Sequence, residues 1–137
     1  MLPEEYQQMY TRVKRATQVL TNEAEPEVGQ TPKEVIWTKN KAKLYRYISD
    51  VPKKHKTPLL MVYALINKPY ILDLTKGGSL IEYLVNRGFD VYLIDWGTPG
   101  YEDRNMKLDD YIMDYLPRAV RKVLRTSGAD EVSMLGY

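Results

Sequence analysis

Apolar positions along this chain change period several times, and each change marks an element. Residues 3–22 carry Tyr6, Met9, Tyr10, Val13, Ala16, Val19 and Leu20 at three- and four-residue spacing, which gathers them on one face of an amphipathic helix. Pro3 suits the first helical position, and Glu4 and Glu5 suit the positive end of the helix dipole. Residues 23–32 lose the large apolar side chains and gain Pro26, Gly29 and Pro32, so a linker follows. Val35, Ile36, Trp37 and Thr38, then Leu44, Tyr45, Tyr47 and Ile48, predict two short strands around Lys39-Asn40-Lys41, joined as an antiparallel hairpin.

From Leu59 the order becomes strand, loop, helix, strand. Residues 59–64 are an almost unbroken apolar run, as expected of a strand covered on both faces. A long loop over 65–78 leads to a short helix over 79–87. Ser79 and Glu82 have capping-box spacing there, Leu80, Ile81, Leu84 and Val85 form the buried side, and Gly88 ends the helix. Residues 89–95 read as the next strand. The clearest helical period runs through Leu108, Tyr111, Ile112, Tyr115, Leu116, Ala119, Val120, Val123 and Leu124, with a kink expected at Pro117. Residues 132–135 begin a last strand.

Strands alternating with helices predict an α/β fold: a mostly parallel sheet with right-handed crossovers and an antiparallel edge hairpin. The expected organisation is an amphipathic helix over 1–22, which either packs on its own domain or binds a partner, a linker over 23–32, and a partial α/β-hydrolase domain over 33–137.

Charge and composition then exclude classes. The 20 basic and 18 acidic side chains give a net charge of +2 and are well mixed, which leaves no footprint for nucleic acid. The longest apolar run, over 59–66, is far short of the roughly 20 residues of a membrane span. The acidic start Met1-Leu2-Pro3-Glu4-Glu5 does not read as a secretory signal, and the expected compartment is the cytoplasm. Cysteine is absent, so a disulfide framework or thiolate metal site is not expected.

Three loops at strand ends carry the candidate chemistry. One follows Ala64, a second follows Ile94-Asp95-Trp96-Gly97, and the third begins at Leu135-Gly136-Tyr137. In an α/β-hydrolase a Gly-x-nucleophile-x-Gly elbow follows such a third strand, and two backbone amides hold the oxyanion. Gly136 and Tyr137 match the first two elbow positions. The lone histidine, His55, lies among Lys53, Lys54 and Lys56 and reads as a solvated loop residue. Gly77-Gly78-Ser79 lacks the phosphate-loop lysine and reads as a turn, Asp109 and Asp110 as a solvated helix start, and Trp37 and Trp96 as packing residues.

The stretches Thr31-Pro32-Lys33-Glu34-Val35-Ile36-Trp37, Ala64-Leu65-Ile66-Asn67-Lys68-Pro69-Tyr70-Ile71-Leu72-Asp73-Leu74, Arg87-Gly88-Phe89-Asp90-Val91-Tyr92, Asp95-Trp96-Gly97, Leu108-Asp109-Asp110-Tyr111 and Leu135-Gly136-Tyr137 carry a resemblance. Together they resemble the catalytic subunit of the polyhydroxyalkanoate synthases, most closely the short-chain Bacillus type. The N-terminal helix is similar too, through Pro3-Glu4-Glu5-Tyr6 and Arg12-Val13-Lys14-Arg15-Ala16.

The resemblance implies polymerisation of 3-hydroxyacyl-coenzyme A, with 3-hydroxybutyryl-coenzyme A as the expected substrate, through a Cys-His-Asp triad and no cofactor or metal. It implies that the cysteine directly follows Leu-Gly-Tyr, so this chain holds none of the triad and is expected to be inactive alone. Neither His55 nor Asp95 matches a triad position. It places one oxyanion-hole amide at or beside Ile66, next to Asn67, whose bland alternative is a loop-holding side chain. The implied partners are the polyester granule and a small accessory subunit. Two alternatives stand beside it: an esterase with serine after Tyr137, and a non-catalytic protein that binds a synthase subunit or granule.

Overall fold

The computed structural model describes Val13 and residues 27–137. The expected helix over 1–22, Val13 apart, and the start of the expected linker lie outside the described residues. Five strands form one sheet: β1 (Lys33–Lys39), β2 (Ala42–Tyr47), β3 (Leu59–Val62), β4 (Val91–Asp95) and β5 (Ser133–Gly136). Their order is β1-β2-β4-β3-β5, with β1, β2 and β4 paired antiparallel and β3 parallel to both β4 and β5. The expected α/β architecture is therefore present, antiparallel edge included.

The hairpin turns on Asn40 and Lys41, and Asn40 takes a left-handed φ of 51°, which its short polar side chain tolerates better than most. β1 carries a bulge between Val35 and Trp37. β4 lies in the middle, and Val91, Tyr92, Leu93 and Ile94 are all buried, because both faces of that strand are covered.

Two helices make the crossovers. The first, α1 (Leu80–Asn86), joins β3 to β4, and the second, α2 (Leu116–Ser127), joins β4 to β5. The two connections run in opposite directions along the sheet, from β3 to β4 in the first and from β4 back past β3 to β5 in the second. Ile81 and Val85 of α1 are buried, at about 1.5–3 kcal/mol each for complete burial. Leu80, expected on that side, is exposed.

Capping of α1 follows the sequence with one difference. The Ser79 hydroxyl accepts from the Glu82 amide at 3.0 Å, but the Glu82 carboxylate accepts from Gly77 N at 2.8 Å and not from Ser79. Gly88, at φ 86°, closes the helix: its amide donates to Val85 O at 3.1 Å and Phe89 N to Leu84 O at 3.2 Å. Phe89 is thus spent on the helix end, which is why β4 starts at Val91 and not at 89.

Pro117 changes the helix it interrupts in a way the apolar period does not show. A helical turn, Leu108–Asp110, runs into a π-helical segment, Tyr111–Tyr115, and only then into α2, where Pro117 stands in the first turn. Pro117 has no amide to donate and its ring crowds the carbonyl four residues back; the wider π turn, with Leu116 N donating to Tyr111 O, accommodates both. The kink becomes a change of winding. It also rotates the face: Tyr115, Ala119 and Val123 are buried, while Leu108 and Ile112 are exposed. Gly128, at φ 72°, ends α2.

Candidate functional site

The C-terminal ends of β3, β4 and β5 point the same way, and the β1–β2 turn joins them because β2 runs antiparallel to β4, with Lys43 opposite Asp95. Ligands of open α/β sheets bind outside these strand ends. β3 and β5 are in register through Val62 and Gly136, and Tyr137 N donates to Val62 O at 2.9 Å. The residues that leave β3 and those that leave β5 are therefore neighbours.

β3 ends before residue 64 because Tyr63 is claimed from the side. Its hydroxyl donates to Asp95 Oδ1 at 2.9 Å and accepts from Trp96 N at 3.2 Å, while the Trp96 indole donates to Tyr63 O at 2.8 Å. Burial first, and then the Asp95 carboxylate, push the Tyr63 phenol well above its ordinary pKa, so it stays a neutral donor. Gly97 N also donates to Asp95 Oδ1, at 2.9 Å. Gly97 has φ 75°, and a Cβ there would meet Lys41 O at 2.5 Å, so the chain passes the hairpin turn only as glycine. Trp96 packs edge-on against Tyr111 at 5.3 Å, and Tyr111 against Tyr115 at 5.5 Å, which ties the π-helical segment to the same strand end. Trp96 is a packing residue with a polar handle, as the sequence suggests.

The loop after β3 turns tightly. Asn67 N donates to Ala64 O at 3.0 Å, and a 3₁₀ turn, Pro69–Leu72, follows. Ile66 is 93% exposed. Among the described residues the Ile66 amide donates to none and the Asn67 side chain bonds none, so the loop is not held by that side chain. Of the two expected backbone positions, one amide is thus engaged within the loop and one is open. The Gly77-Gly78 turn presents no spare donors: Gly77 N is bound to Glu82 and Gly78 N to Thr75 O at 3.0 Å. Asp110 accepts from Lys107 N at 2.7 Å and so caps its helical turn.

His55 stands at the other end of the strands. Its ring stacks on Phe89 at 3.8 Å and its amide donates to Gly88 O, in the connection that precedes β4. No strand carries it toward Gly136. The same end holds Asp90, which the sequence reading did not single out. Asp90 accepts from Arg46 at 3.1 and 3.2 Å, Lys53 at 2.8 Å and Tyr92 at 2.9 Å. Burial alone would raise its pKa, but these donors outweigh burial and hold the carboxyl below its ordinary value. The only trace of this in the sequence is a carboxylate at the mouth of an apolar strand.

The profile of the family described as "Poly-beta-hydroxybutyrate polymerase (PhaC) N-terminus" matches residues 6–84, and that of the "alpha/beta hydrolase fold" matches residues 57–137. The chain belongs to the poly-beta-hydroxybutyrate polymerase family. Its relatives include proteins named "Poly(3-hydroxyalkanoate) polymerase subunit PhaC". That of Haloferax mediterranei is 42% identical over 134 residues, covering 98% of this chain and 27% of the relative. That of Synechocystis is 43% identical over 115 residues, covering 84% and 30%, and that of Haloarcula marismortui 44% over 118 residues, covering 81% and 25%. The chain therefore spans about a quarter to a third of the length of these curated relatives. Among the described residues no helix is long and apolar enough to cross a membrane.

Proposed function

We propose that this chain supplies the N-terminal part of the catalytic domain of a poly(3-hydroxyalkanoate) polymerase, and that its own contribution to the chemistry is backbone. The observation that carries the reading is the register of β3 and β5. Gly136 lies beside Val62, so a nucleophile after Tyr137 would stand next to the loop that carries Ile66. Residues 33–137 form the hydrolase-like unit, 23–32 link it to the N-terminal segment, and the Ile66 amide is the oxyanion donor.

In this reading a cysteine thiolate after Tyr137 attacks the thioester carbonyl of 3-hydroxybutyryl-coenzyme A. The carbonyl electrons move to oxygen, where the fixed Ile66 N–H meets the developing charge without reorganising. Collapse expels the coenzyme A thiolate and leaves an acyl-enzyme. The hydroxyl of another unit then gives its proton to the base and attacks that thioester, an ester bond forms, and the cysteine sulfur leaves as a thiolate. Loss of one such oxyanion donor costs roughly 3–4 kcal/mol. In this reading nucleophile, base and orienting carboxylate all come from sequence outside this chain, which has no Cys and whose single His, His55, stacks on Phe89 before β4. The polyester granule, a small accessory subunit and a cytoplasmic setting complete the proposal.

The test is coenzyme A release from 3-hydroxybutyryl-coenzyme A. A longer protein that carries this segment is expected to read cysteine after Tyr137, to release coenzyme A, and to lose that release when the cysteine is alkylated. The 137-residue chain by itself should release none. Serine at the next position would place the protein among esterases, and release that survives alkylation would sink the cysteine mechanism.

A further inference from the structure

Asp73 is only 3% exposed, and its carboxylate serves no catalytic step described above. Both of its oxygens accept from one residue: the Thr31 hydroxyl donates to Oδ1 at 2.7 Å and the Thr31 amide to Oδ2 at 3.0 Å. The contact is reinforced by backbone, since Gly29 N donates to Asp73 O at 2.7 Å. Lys33 Nζ in turn donates to Gly29 O at 2.9 Å, which ties the clasping segment to the first residue of β1. Gly29 has φ 65°, and a Cβ there would lie 3.5 Å from Tyr70 Cβ, so the chain before β1 rests directly on the 3₁₀ turn Pro69–Leu72.

A buried carboxylate is a costly way to hold a loop. Its desolvation is offset here by neutral donors, and apolar replacement of buried charges is often neutral or stabilising. What the carboxylate supplies that a leucine could not is direction: two oxygens matched to two donors of one residue fix the relative position of segments 42 positions apart. The adjacent Leu72 is buried and provides the apolar anchor already.

The loop is thereby pinned on both sides of its open amide. Trp96 holds Tyr63 O before it, and Thr31 holds Asp73 after it. We propose that Thr31 and Asp73 are positioning residues, with the segment entering β1 acting as a clamp that fixes the Ile66 amide against the nucleophile's position. This rests on the function proposed above. A donor a fraction of an ångström out of place loses much of its value to an oxyanion, so loosening the clamp acts on turnover and leaves substrate binding alone.

The experiment compares Thr31→Val, which keeps the β-branched shape and the amide but deletes the hydroxyl, with Thr31→Ser, which restores it. In the longer protein, kcat for coenzyme A release is expected to fall about 10- to 100-fold in Thr31→Val, with KM within about twofold, and to recover in Thr31→Ser. Amide hydrogen exchange of residues 66–72 should quicken in Thr31→Val while β4 amides stay protected. Unchanged exchange over 66–72 overturns the clamp, and faster exchange with wild-type kcat overturns its positioning role. If Thr31→Val does not fold, Asp73→Asn, which keeps one acceptor oxygen, is the second variant, and wild-type kcat and exchange there overturn the proposal. A wild-type protein that releases no coenzyme A sinks the proposed function, while the exchange measurement still decides the clamp.

Discussion

At the start of β4, Asp90 accepts from Arg46, Lys53 and Tyr92; at the end of the same strand, Asp95 accepts from the Tyr63 hydroxyl and the Gly97 amide. The first carboxylate is saturated by cations brought from β2 and the loop before β3. The second is held by neutral groups that also fix where β3 and β4 turn out of the sheet. Glycines of left-handed conformation stand at both ends, and close approach is not confined to one of them, since a Cβ at Gly88 on the Asp90 side would lie 2.9 Å from Lys54 N. Gly97 passes within 2.5 Å of the hairpin backbone at its Cβ position, whereas Gly128 has nothing within 4 Å. Ion pairs stand at both ends, since Lys39 with Asp114 at 2.5 Å and Lys41 with Asp103 at 2.6 Å lie at the hairpin-turn end; what marks the Asp90 end is that a buried carboxylate is the one met by cations. The other end holds backbone in place while leaving an amide open, as expected where chemistry sits at the C-terminal strand ends.

Substitutions at matched positions sharpen this contrast. Gly97→Ala combines a left-handed backbone with a clash against Lys41 O and is expected to cost about 3 kcal/mol or more. Gly128→Ala, strained in backbone alone, should cost about 1–2 kcal/mol. Equal shifts of the urea midpoint for the two would show that the close approach to Lys41 O adds nothing to the backbone strain at Gly97. Asp90→Ala strips the partner from Arg46, Lys53 and Tyr92. We expect about 2–3 kcal/mol, less than for a fully buried pair because the Lys53 side chain is 42% exposed.

Acid titration separates the ends without cavities. The Asp90 carboxyl is lowered from 3.8 in the folded chain, so the stability it contributes is fully present above the unfolded value and is lost as pH falls through the folded one. Between about pH 5 and pH 2 the unmodified protein should lose more stability than Asp90→Asn. Parallel losses in thermal midpoint over that range would show that Asp90 is not held ionised by its neighbours. Smallest of all, Ser79→Ala removes the N-cap of α1 and should cost about 1 kcal/mol, while Glu82→Gln, which retains an acceptor for Gly77 N, should cost less. Equal effects would mean that the side chain of Glu82 matters as much as the cap.

The two lateral edges of the sheet differ as well. β1 carries Lys33, Glu34, Lys39 and a bulge, devices that discourage strand addition, whereas β5 reads Ser-Met-Leu-Gly with no charge and no bulge. Self-association of the 137-residue chain through β5 is the expected outcome. Met134→Lys should weaken it in sedimentation velocity, and a monodisperse monomer at high concentration would count against it.

Much of this was legible from residue order. The hairpin, β3, α1 with its Ser79 cap and Gly88 stop, and β4 follow from apolar period and turn chemistry, which act over a few residues. The family resemblance could be read from stretches such as residues 64–74 and 135–137. Ile66 and Asn67 could be picked out as backbone positions, but nothing local distinguished them, because an amide's partner depends on how the loop turns. Asn67 N was taken by Ala64 O; Ile66 N was not.

Contacts between distant segments, and their effects on element ends, came from the folded chain alone. The apolar period of residues 108–124 required a helix but could not register the π turn by which Tyr111–Tyr115 accommodates Pro117, since periodicity assumes uniform winding. Asp73 and Asp90 look like ordinary loop and strand-edge carboxylates until Thr31, Arg46 and Lys53 are brought to them across 42, 44 and 37 positions of chain. Which segments are strands and helices could be read from residue order, because that choice is made among near neighbours. The fold decided which buried charges are matched and which amide stays open, because electrostatics and hydrogen bonding are settled by distance in space.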